Sequence, residues 1–313
     1  MATNMLNLPE ELVTEIFSKV KGHSALANLS AQMPLPFNGV KEFVFSASGE
    51  ASIVAEGAAK PAGSASFTPV VIRPLKFLYQ ARVSDEFIHS SEEARLPYLK
   101  SFGEGFAVKI ARGFDIAAMH GLDPRTATAV TTLATNCFDG VVTNVVTYNA
   151  STPDDNLDSA VQAIVALNGI VNGLAISPAF GAAMAGVKVN GVVQYPEFRF
   201  GGAPALFAGY KLDMNNTVPV IATGGNADHA IIGDFDNAFR WGYAKNMPLE
   251  VIEYGDPDGT GRDLKQYNEV CLRAEAYIGW GILDKDSFAV VRVGSQTVTE
   301  SDEGAESDGD GEG

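Results

Sequence analysis

The 313-residue sequence is poor in cysteine and in basic residues, and each shortage excludes a class of protein. Its two cysteines, Cys137 and Cys271, lie far apart without metal-ligand spacing, which argues against a disulfide framework and favours a reducing cytoplasm. Only 22 lysines and arginines face 38 acidic residues, giving a formal net charge of -16. Because phosphate binding needs a dense basic surface, this charge argues against nucleic acid as a partner over the whole surface.

Long apolar runs are also missing. No run approaches the roughly 20 residues of a membrane span. The N-terminus, MATNMLNLPEELVTEIF, has neither the basic nor the apolar region of a signal peptide. A hydrophobic content of 46% is that of a globular protein. These features together predict a soluble, acidic, cytoplasmic protein.

The common catalytic motifs are absent: the sequence has no G-x-x-x-x-G-K-[ST], G-x-G-x-x-G, H-E-x-x-H or G-x-S-x-G. The histidines are scattered and are expected at the surface or at helix ends; they are His23, His89, His120 and His229. No cofactor and no metal are therefore expected.

One acidic loop leaves an alternative open. The stretch DPDGTGRD at 256–263 has Asp256 and Asp258 two apart, as in a calcium loop, but the EF-hand pattern also needs a third ligand, a glycine at the sixth position and a late glutamate. A Gly/Asp turn between two strands accounts for the same residues. A cytoplasmic, metal-dependent α/β enzyme is the alternative that rests on this loop.

The first third of the chain predicts little regular core. A short amphipathic helix starts at Pro9, and residues 24–49 are expected to be extended because Pro34 and Pro36 oppose a helix. A small-residue segment around Lys60 then separates two strand-like runs, which predicts a long excursion between two strands.

Stronger periodicity follows. Residues 91–120 predict a helix of more than 30 Å, ended by Gly121, with Phe102, Phe106, Ile110 and Phe114 on one stripe. Residues 139–235 predict mixed helices and strands. The run 268–282 alternates apolar and polar residues with period two, which predicts a half-buried strand. The tail from Glu300 holds seven acidic residues and no basic one, and it is expected to be disordered.

Several short segments, taken in order along the chain, form a recognisable set. The markers are AEGAAKP, VSDEF, a long helix ending in DIAAMHG, AISPAFGAAM, FGGAPALFAGYKLDMNNTVP, GDFDNAF and RDLKQYNEVCLRAEAYIGWGILDKDSFAVV. Together they resemble the major capsid proteins of tailed phages with the HK97 fold, from about residue 24 to 293. The run VKVNGVVQYPEF departs from the tighter turn of many relatives, which affects the local geometry alone.

The resemblance implies an α+β fold with a defined layout. The expected parts are an N-arm (1–48), an extended E-loop hairpin (49–78), a P domain with a spine helix (79–138), a mixed α/β A domain (139–235), a return to the P-domain sheet with a final A-domain strand (236–298) and a disordered acidic tail (299–313). In this family the E-loop lies over a neighbouring subunit, so the partner of the segment around Lys60 is expected to be another copy of the chain.

The implied function is that of a shell subunit. It self-assembles into pentamers and hexamers of the icosahedral head of a tailed double-stranded DNA phage, and it encloses DNA without reading its sequence. The expected setting is the virion capsid, after synthesis in the bacterial host cytoplasm, with no membrane. Because the resemblance starts close to Met1, it implies a separate scaffolding protein or none, together with a portal. No N-terminal maturation cleavage is expected beyond loss of Met1. An encapsulin-type compartment that houses cargo enzymes is the alternative within the same fold.

One chemical step is implied by the same resemblance, and the protein is otherwise not expected to be an enzyme. Some members join subunits by a single-turnover isopeptide bond between an E-loop lysine and a P-domain asparagine, assisted by a glutamate. The matching residues are Lys60, Asn268 and Glu275. The competing interpretation makes Lys60 a solvated loop charge and Asn268 a strand-start residue. Glu275 is then a surface group or an ion-pair partner of Arg273 or Arg262.

Overall fold

The computed structural model describes residues 23–48, 51–60, 62–86, 92–222, 225–245 and 249–294. The predicted N-terminal helix from Pro9 and the acidic tail lie outside the described residues. Alternating strands and helices build two main sheets, a long helix and a separate two-stranded hairpin.

Strands β1 (Val40–Ser48) and β2 (Ser64–Ile72) form the hairpin, and they pair antiparallel over their full length, from Val40 with Ile72 to Ser48 with Ser64. Lys60 lies in the excursion between them. The predicted pair of strands joined by a long, small-residue segment is therefore confirmed. The inner end of the hairpin is anchored, because Ile72 is buried where β2 meets Gly281 of the next sheet.

The second sheet is centred on one long strand. Four strands form it: β3 (Leu75–Ser84), β11 (Phe239–Lys245), β12 (Leu249–Ile252) and β13 (Glu269–Ile282). Strand β13 pairs antiparallel with β3 on one side and with β11 and β12 on the other. The predicted alternation is observed from Leu272 to Ile278, where buried residues alternate with half-buried Arg273, Glu275 and Tyr277.

Helix α2 (Glu92–His120) packs on the buried face of this sheet. The predicted helix over 91–120 and its apolar stripe are confirmed: Phe106, Ile110 and Phe114 are buried, and the ring of Phe114 contacts Trp241 and Trp280. Gly121 has a left-handed φ of +65°, a conformation that ends helices because glycine has no Cβ to clash.

The expectation of an extended chain over 24–49 is wrong at its start. Helix α1 (Ala25–Leu29) lies there, with four of its five residues buried. Asp115 of α2 accepts hydrogen bonds from Ser24 Oγ and from the backbone N–H groups of Ala25 and Leu26. A carboxylate 90 residues away thus caps the first turn, which the local sequence does not indicate. The segment belongs to the core.

The third unit is a six-stranded mixed sheet with the order β4-β14-β10-β5-β9-β8. Its strands are β4 (Val145–Thr147), β5 (Gly173–Ile176), β8 (Leu206–Phe207), β9 (Tyr210–Met214), β10 (Asp228–Gly233) and β14 (Phe288–Arg292). Helices α3 (Phe138–Val141), α4 (Pro153–Val165) and α5 (Pro178–Gly186) accompany it, with a small hairpin of β6 (Lys188–Val189) and β7 (Val192–Val193). The mixed α/β pattern predicted for 139–235 is confirmed.

None of the helices in the described part of the chain is both long and apolar enough to span a membrane.

Candidate functional site

Lys60 lies in the exposed excursion of the hairpin, at residues 51–60 after β1. The strands leading to it expose their aromatic side chains: Phe43, Phe45 and Phe67 are 66%, 58% and 66% exposed. Phe45 and Phe67 are register partners whose ring centroids lie 5.2 Å apart. Directly paired residues of an antiparallel ladder share a face, so these rings form an apolar stripe along one face of the hairpin.

Asn268 immediately precedes β13 and is exposed. Its backbone is left-handed, with φ +53° and ψ +50°, which asparagine tolerates better than most residues. Its carbonyl oxygen accepts a hydrogen bond from Asp85 N–H at 2.8 Å. The conformation turns the chain from a 3-10 turn (Lys265–Tyr267) into the strand, which agrees with a residue at a strand start and leaves the carboxamide at the surface.

Glu275 lies in the middle of β13, and its carboxylate is 2.6 Å from Lys76 Nζ of β3. The hydrogen bond with Glu275 is the main cause that raises the pKa of Lys76 above its ordinary value. The expected partners of Glu275 were wrong, because Arg262 pairs with Glu269 and Arg273 donates to Gln80. Lys76 reaches Glu275 since it lies two residues from Leu78, the register partner of Glu275 on β3.

Within one chain, Asn268 and Glu275 cannot act on the same bond. Asn268 precedes Glu269, and from Glu269 to Glu275 the strand runs for six residues, roughly 20 Å at about 3.3 Å per residue. A site that uses Lys60, Asn268 and Glu275 therefore has to draw these residues from different copies of the chain.

The acidic loop suspected of binding calcium is held by an arginine. Arg82 of β3 donates to the carboxylates of Asp256 and Asp258 and to the hydroxyl of Thr260. Its hydrogen bond with Asp258 is the largest cause that holds the pKa of that carboxyl well below its usual range. The guanidinium thus occupies the place of a cation between these side chains. The loop is a turn between β12 and β13, as the alternative interpretation stated.

A buried ionic cluster at the end of helix α2 was not predicted from the sequence. It comprises His120, Asp139, Asp228 and Arg292, from four different elements. His120 is at a helix end, as expected, but its side chain is only 1% exposed. His229 was expected at the surface or at a helix end, but it is half-buried in strand β10, where it stacks on Tyr148 and contacts Ser177 Oγ. Four residues this far apart in sequence have no recognisable spacing, so nothing local could have indicated the cluster.

Comparison with known proteins identifies the chain's relatives. The model of the phage capsid family matches residues 6–293. A chain from Mycobacterium phage Ogopogo is 33% identical, with a TM-score of 0.75, over 87% of this chain and 92% of that one. A chain from Gordonia phage Cozz is 24% identical (TM-score 0.69, covering 88% and 87%). A chain in the capsid of a native GTA particle is 15% identical (TM-score 0.58, covering 86% and 89%). These last two show the fold alone.

No curated protein matches the sequence significantly. The family match covers nearly the whole chain, and these structural matches cover 87% and 88% of it, so the predicted α+β, HK97-like fold is confirmed. The chain therefore belongs to the phage capsid family, and it is a phage major capsid protein, a structural subunit of the virion shell.

Proposed function

We propose that this capsid protein assembles into pentamers and hexamers that close an icosahedral head around double-stranded DNA in a tailed phage. The exposed hairpin is the observation that supports the proposal best. An isolated two-stranded hairpin is marginally stable in water, yet β1 and β2 expose three phenylalanines on one face. A neighbouring copy of the chain supplies the surface that this face lacks.

The layout proposed for the subunit keeps the parts inferred from the sequence: N-arm (1–48), E-loop (49–78), P domain (79–138), A domain (139–235), return segment (236–298) and tail (299–313). Helix α2 and the sheet around β13 support a P domain built on a spine helix. The six-stranded sheet supports a separate A domain. The hairpin spans Val40–Ile72, which supports an extended loop that begins within the arm.

The proposed partners are other copies of the chain, a separate scaffolding protein, a portal and the enclosed DNA. The net charge of -16 supports a shell that encloses the DNA without binding its phosphates tightly. Synthesis in the cytoplasm of the bacterial host completes the proposal.

The shell is further proposed to fasten itself covalently through Lys60, Asn268 and Glu275. The neutral amine of Lys60 attacks the Asn268 Cγ of a second copy, a C–N bond forms, and the bond to the carboxamide nitrogen breaks. Glu275 of a third copy takes the proton that Lys60 loses and returns it to the departing ammonia, so the reaction needs no oxidant or cofactor. The exposed positions of Lys60 and Asn268 support this role. The ion pair with Lys76 has to open before Glu275 can accept a proton.

Denaturing gel electrophoresis of assembled particles, boiled in detergent and reductant, tests both parts. We expect multiples of 33.0 kDa from the wild type and a single band from Lys60→Ala. Lys41→Ala removes an exposed lysine of the same hairpin and should keep the ladder. A single band from intact wild-type particles would remove the cross-link but leave the shell. If no large particles form alongside scaffolding and portal proteins, the assembly proposal itself is wrong.

A further inference from the structure

A buried ionic cluster joins the end of helix α2 to the six-stranded sheet. His120 ends α2, Asp139 lies in α3, Asp228 begins β10 and Arg292 ends β14. The side chains of His120 and Asp228 are each 1% exposed, and those of Asp139 and Arg292 are 28% and 22% exposed. None of these residues belongs to the proposed cross-link.

Arg292 binds both carboxylates. Its Nε lies 2.5 Å from Asp228 Oδ1, and its Nη2 lies 3.1 Å from Asp228 Oδ2 and 2.5 Å from Asp139 Oδ1. One guanidinium therefore holds β10 and α3 to β14, but it neutralises only one of the two negative charges.

The hydrogen bonds of His120 determine where its protons lie. Nε2 is 3.0 Å from the carbonyl oxygen of Thr217, which can only accept, so Nε2 carries a hydrogen. Nδ1 is 2.9 Å from Asp139 Oδ2 and 4.0 Å from Asp228 Oδ2. A lone pair on Nδ1 would face carboxylate oxygens and be repelled. A second proton therefore lies between Nδ1 and the carboxylates, and it balances the second negative charge.

We propose that this cluster is a proton-held clamp: one proton, shared between His120 and the two carboxylates, keeps the end of helix α2 fastened to the six-stranded sheet. Without that proton, a neutral imidazole and a surplus buried negative charge remain, and burying an uncompensated charge is costly. The clamp is then weakened and the subunit is less stable.

The titration of the groups agrees with this arrangement. Burial raises the pKa of Asp228 to about 7 despite Arg292. Burial opposes the charge on His120, but its hydrogen bonds with Asp139 and Thr217 and the charges of Asp139 and Asp228 together outweigh burial, so the pKa of His120 is raised above 6.5. Burial raises the pKa of Asp139, but its hydrogen bonds with His120 and Asp228 and the charges of His120 and Arg292 together outweigh burial, so the pKa of Asp139 is lowered. His120 and Asp228, whose pKa values are raised, therefore bind a proton more tightly in the folded chain than in the unfolded one.

The charged groups that face the clamp come from each surrounding element: His120 from α2, Asp139 from α3, Asp228 from β10 and Arg292 from β14. Cys137 lies beside α3, and burial raises the pKa of its thiol, so it adds no charge near neutral pH. A cavity of about 200 Å³ lined by His120, Asp139, Arg292 and Asn226, among others, gives solvent protons access to the clamp.

The sign of the pH dependence follows from the raised pKa values. For Asp228 the stability from the clamp is fully present below its ordinary pKa of 3.8 and is lost as the pH rises to its folded value of about 7. For His120 it is lost as the pH rises from the ordinary value of 6.5 through its raised folded value. Over the pH range in which unfolding releases one proton, the folding equilibrium constant falls by up to about tenfold per pH unit.

Urea unfolding of the unassembled full-length chain at pH 6.5, 7, 8 and 9 tests the proposal, because the contribution of His120 is lost from 6.5 upwards. We expect the wild type to lose stability along this series and His120→Gln to lose most of that slope. His23→Gln, at an exposed histidine outside the cluster, should keep it. An unchanged slope in His120→Gln would overturn the proposal.

A second measurement needs no variant of the clamp. Histidine labelled with ¹³C at Cε1 gives one NMR signal per imidazole, and we expect the signal of His120 in the wild type to titrate above pH 6.5. Titration at or below that value would overturn the clamp.

His120 Nδ1 and the two carboxylates also offer oxygen and nitrogen atoms within 4.8 Å of one another. Loss of wild-type stability on adding EDTA would therefore show that a metal ion, not a proton, holds the cluster.

Discussion

Asp115 is fully buried in helix α2 and holds the first turn of helix α1. Its Oδ2 also accepts from Thr217 Oγ1 at 3.0 Å, so one carboxylate links α1, α2 and the loop after β9. Ser24, itself bonded to Asp115, accepts from Ala27 N–H and completes the cap. A five-residue helix is too short to be stable alone, and these contacts explain why the segment folds against the core.

Asp115→Ala should destabilise the subunit by at least about 3 kcal/mol, because several buried donors lose their acceptor and each costs about 1–3 kcal/mol. Urea unfolding measures the change. Asp158→Ala makes the same substitution at an exposed position of helix α4 and should cost less than about 1 kcal/mol. Equal losses in the two variants would mean that Asp115 does not anchor α1.

The same residue predicts a pH effect in a separate range. Burial raises the pKa of Asp115 to about 6, although four hydrogen bonds act against that rise. Its contribution is therefore present below pH 4 and is lost as the pH rises through about 6. This range lies below the series used for His120, so the two groups can be measured separately.

Among the elements, the hairpin of β1 and β2 carries the largest exposed aromatic surface described above. The subunit itself gains little from Phe45 and Phe67, which are mostly exposed. In the shell, burying each ring against a neighbour is worth about 2 kcal/mol. A variant that loses these two rings should therefore assemble less well while its subunit remains as stable as the wild type.

Replacing Phe45 and Phe67 together by serine should leave the unfolding free energy of the subunit within about 1 kcal/mol of the wild type. It should raise the protein concentration needed for assembly at least about tenfold, since about 1.4 kcal/mol corresponds to a factor of ten. Sedimentation separates particles from free subunits. Thr68→Ala alters an adjacent exposed residue of β2 whose side chain points to the opposite face, and it should assemble normally. Normal assembly of the double variant would show that this face stays exposed in the shell.

The elements differ in how far the sequence could predict them. Helix α2 and strand β13 were predictable because each carries a long periodic pattern that its own burial imposes. Helix α1 was not, since its cap comes from Asp115. The order of the six-stranded sheet was also hidden, because β14 inserts between β4 and β10, far from its neighbours in sequence. Of the candidate site, the exposure of Lys60 could be anticipated, whereas the ion pair of Glu275 depends on the register of β13 with β3.

At the scale of the whole molecule, a net charge of -16 makes copies repel one another, so contacts between subunits have to exceed that repulsion. Covalent fastening would make assembly irreversible. The geometry requires the Asn268 and the Glu275 of one site to come from different copies, because they lie roughly 20 Å apart along β13. The proposed bond itself joins Lys60 of one copy to Asn268 of another.

Mixed particles test this requirement directly. Lys60→Ala subunits keep Asn268 but lack the nucleophile, and Asn268→Ala subunits keep the nucleophile but lack its target. Each variant alone should give a single 33.0 kDa band. Assembled together, each subunit can take part in only one bond, so we expect a dimer band and no higher multiples on a denaturing gel. Adding Glu275→Gln to both variants should remove the dimer while particles still form. Higher multiples in the mixture would show that another residue pair reacts. If either variant alone gives the dimer, Lys60 and Asn268 are not the pair that forms the bond.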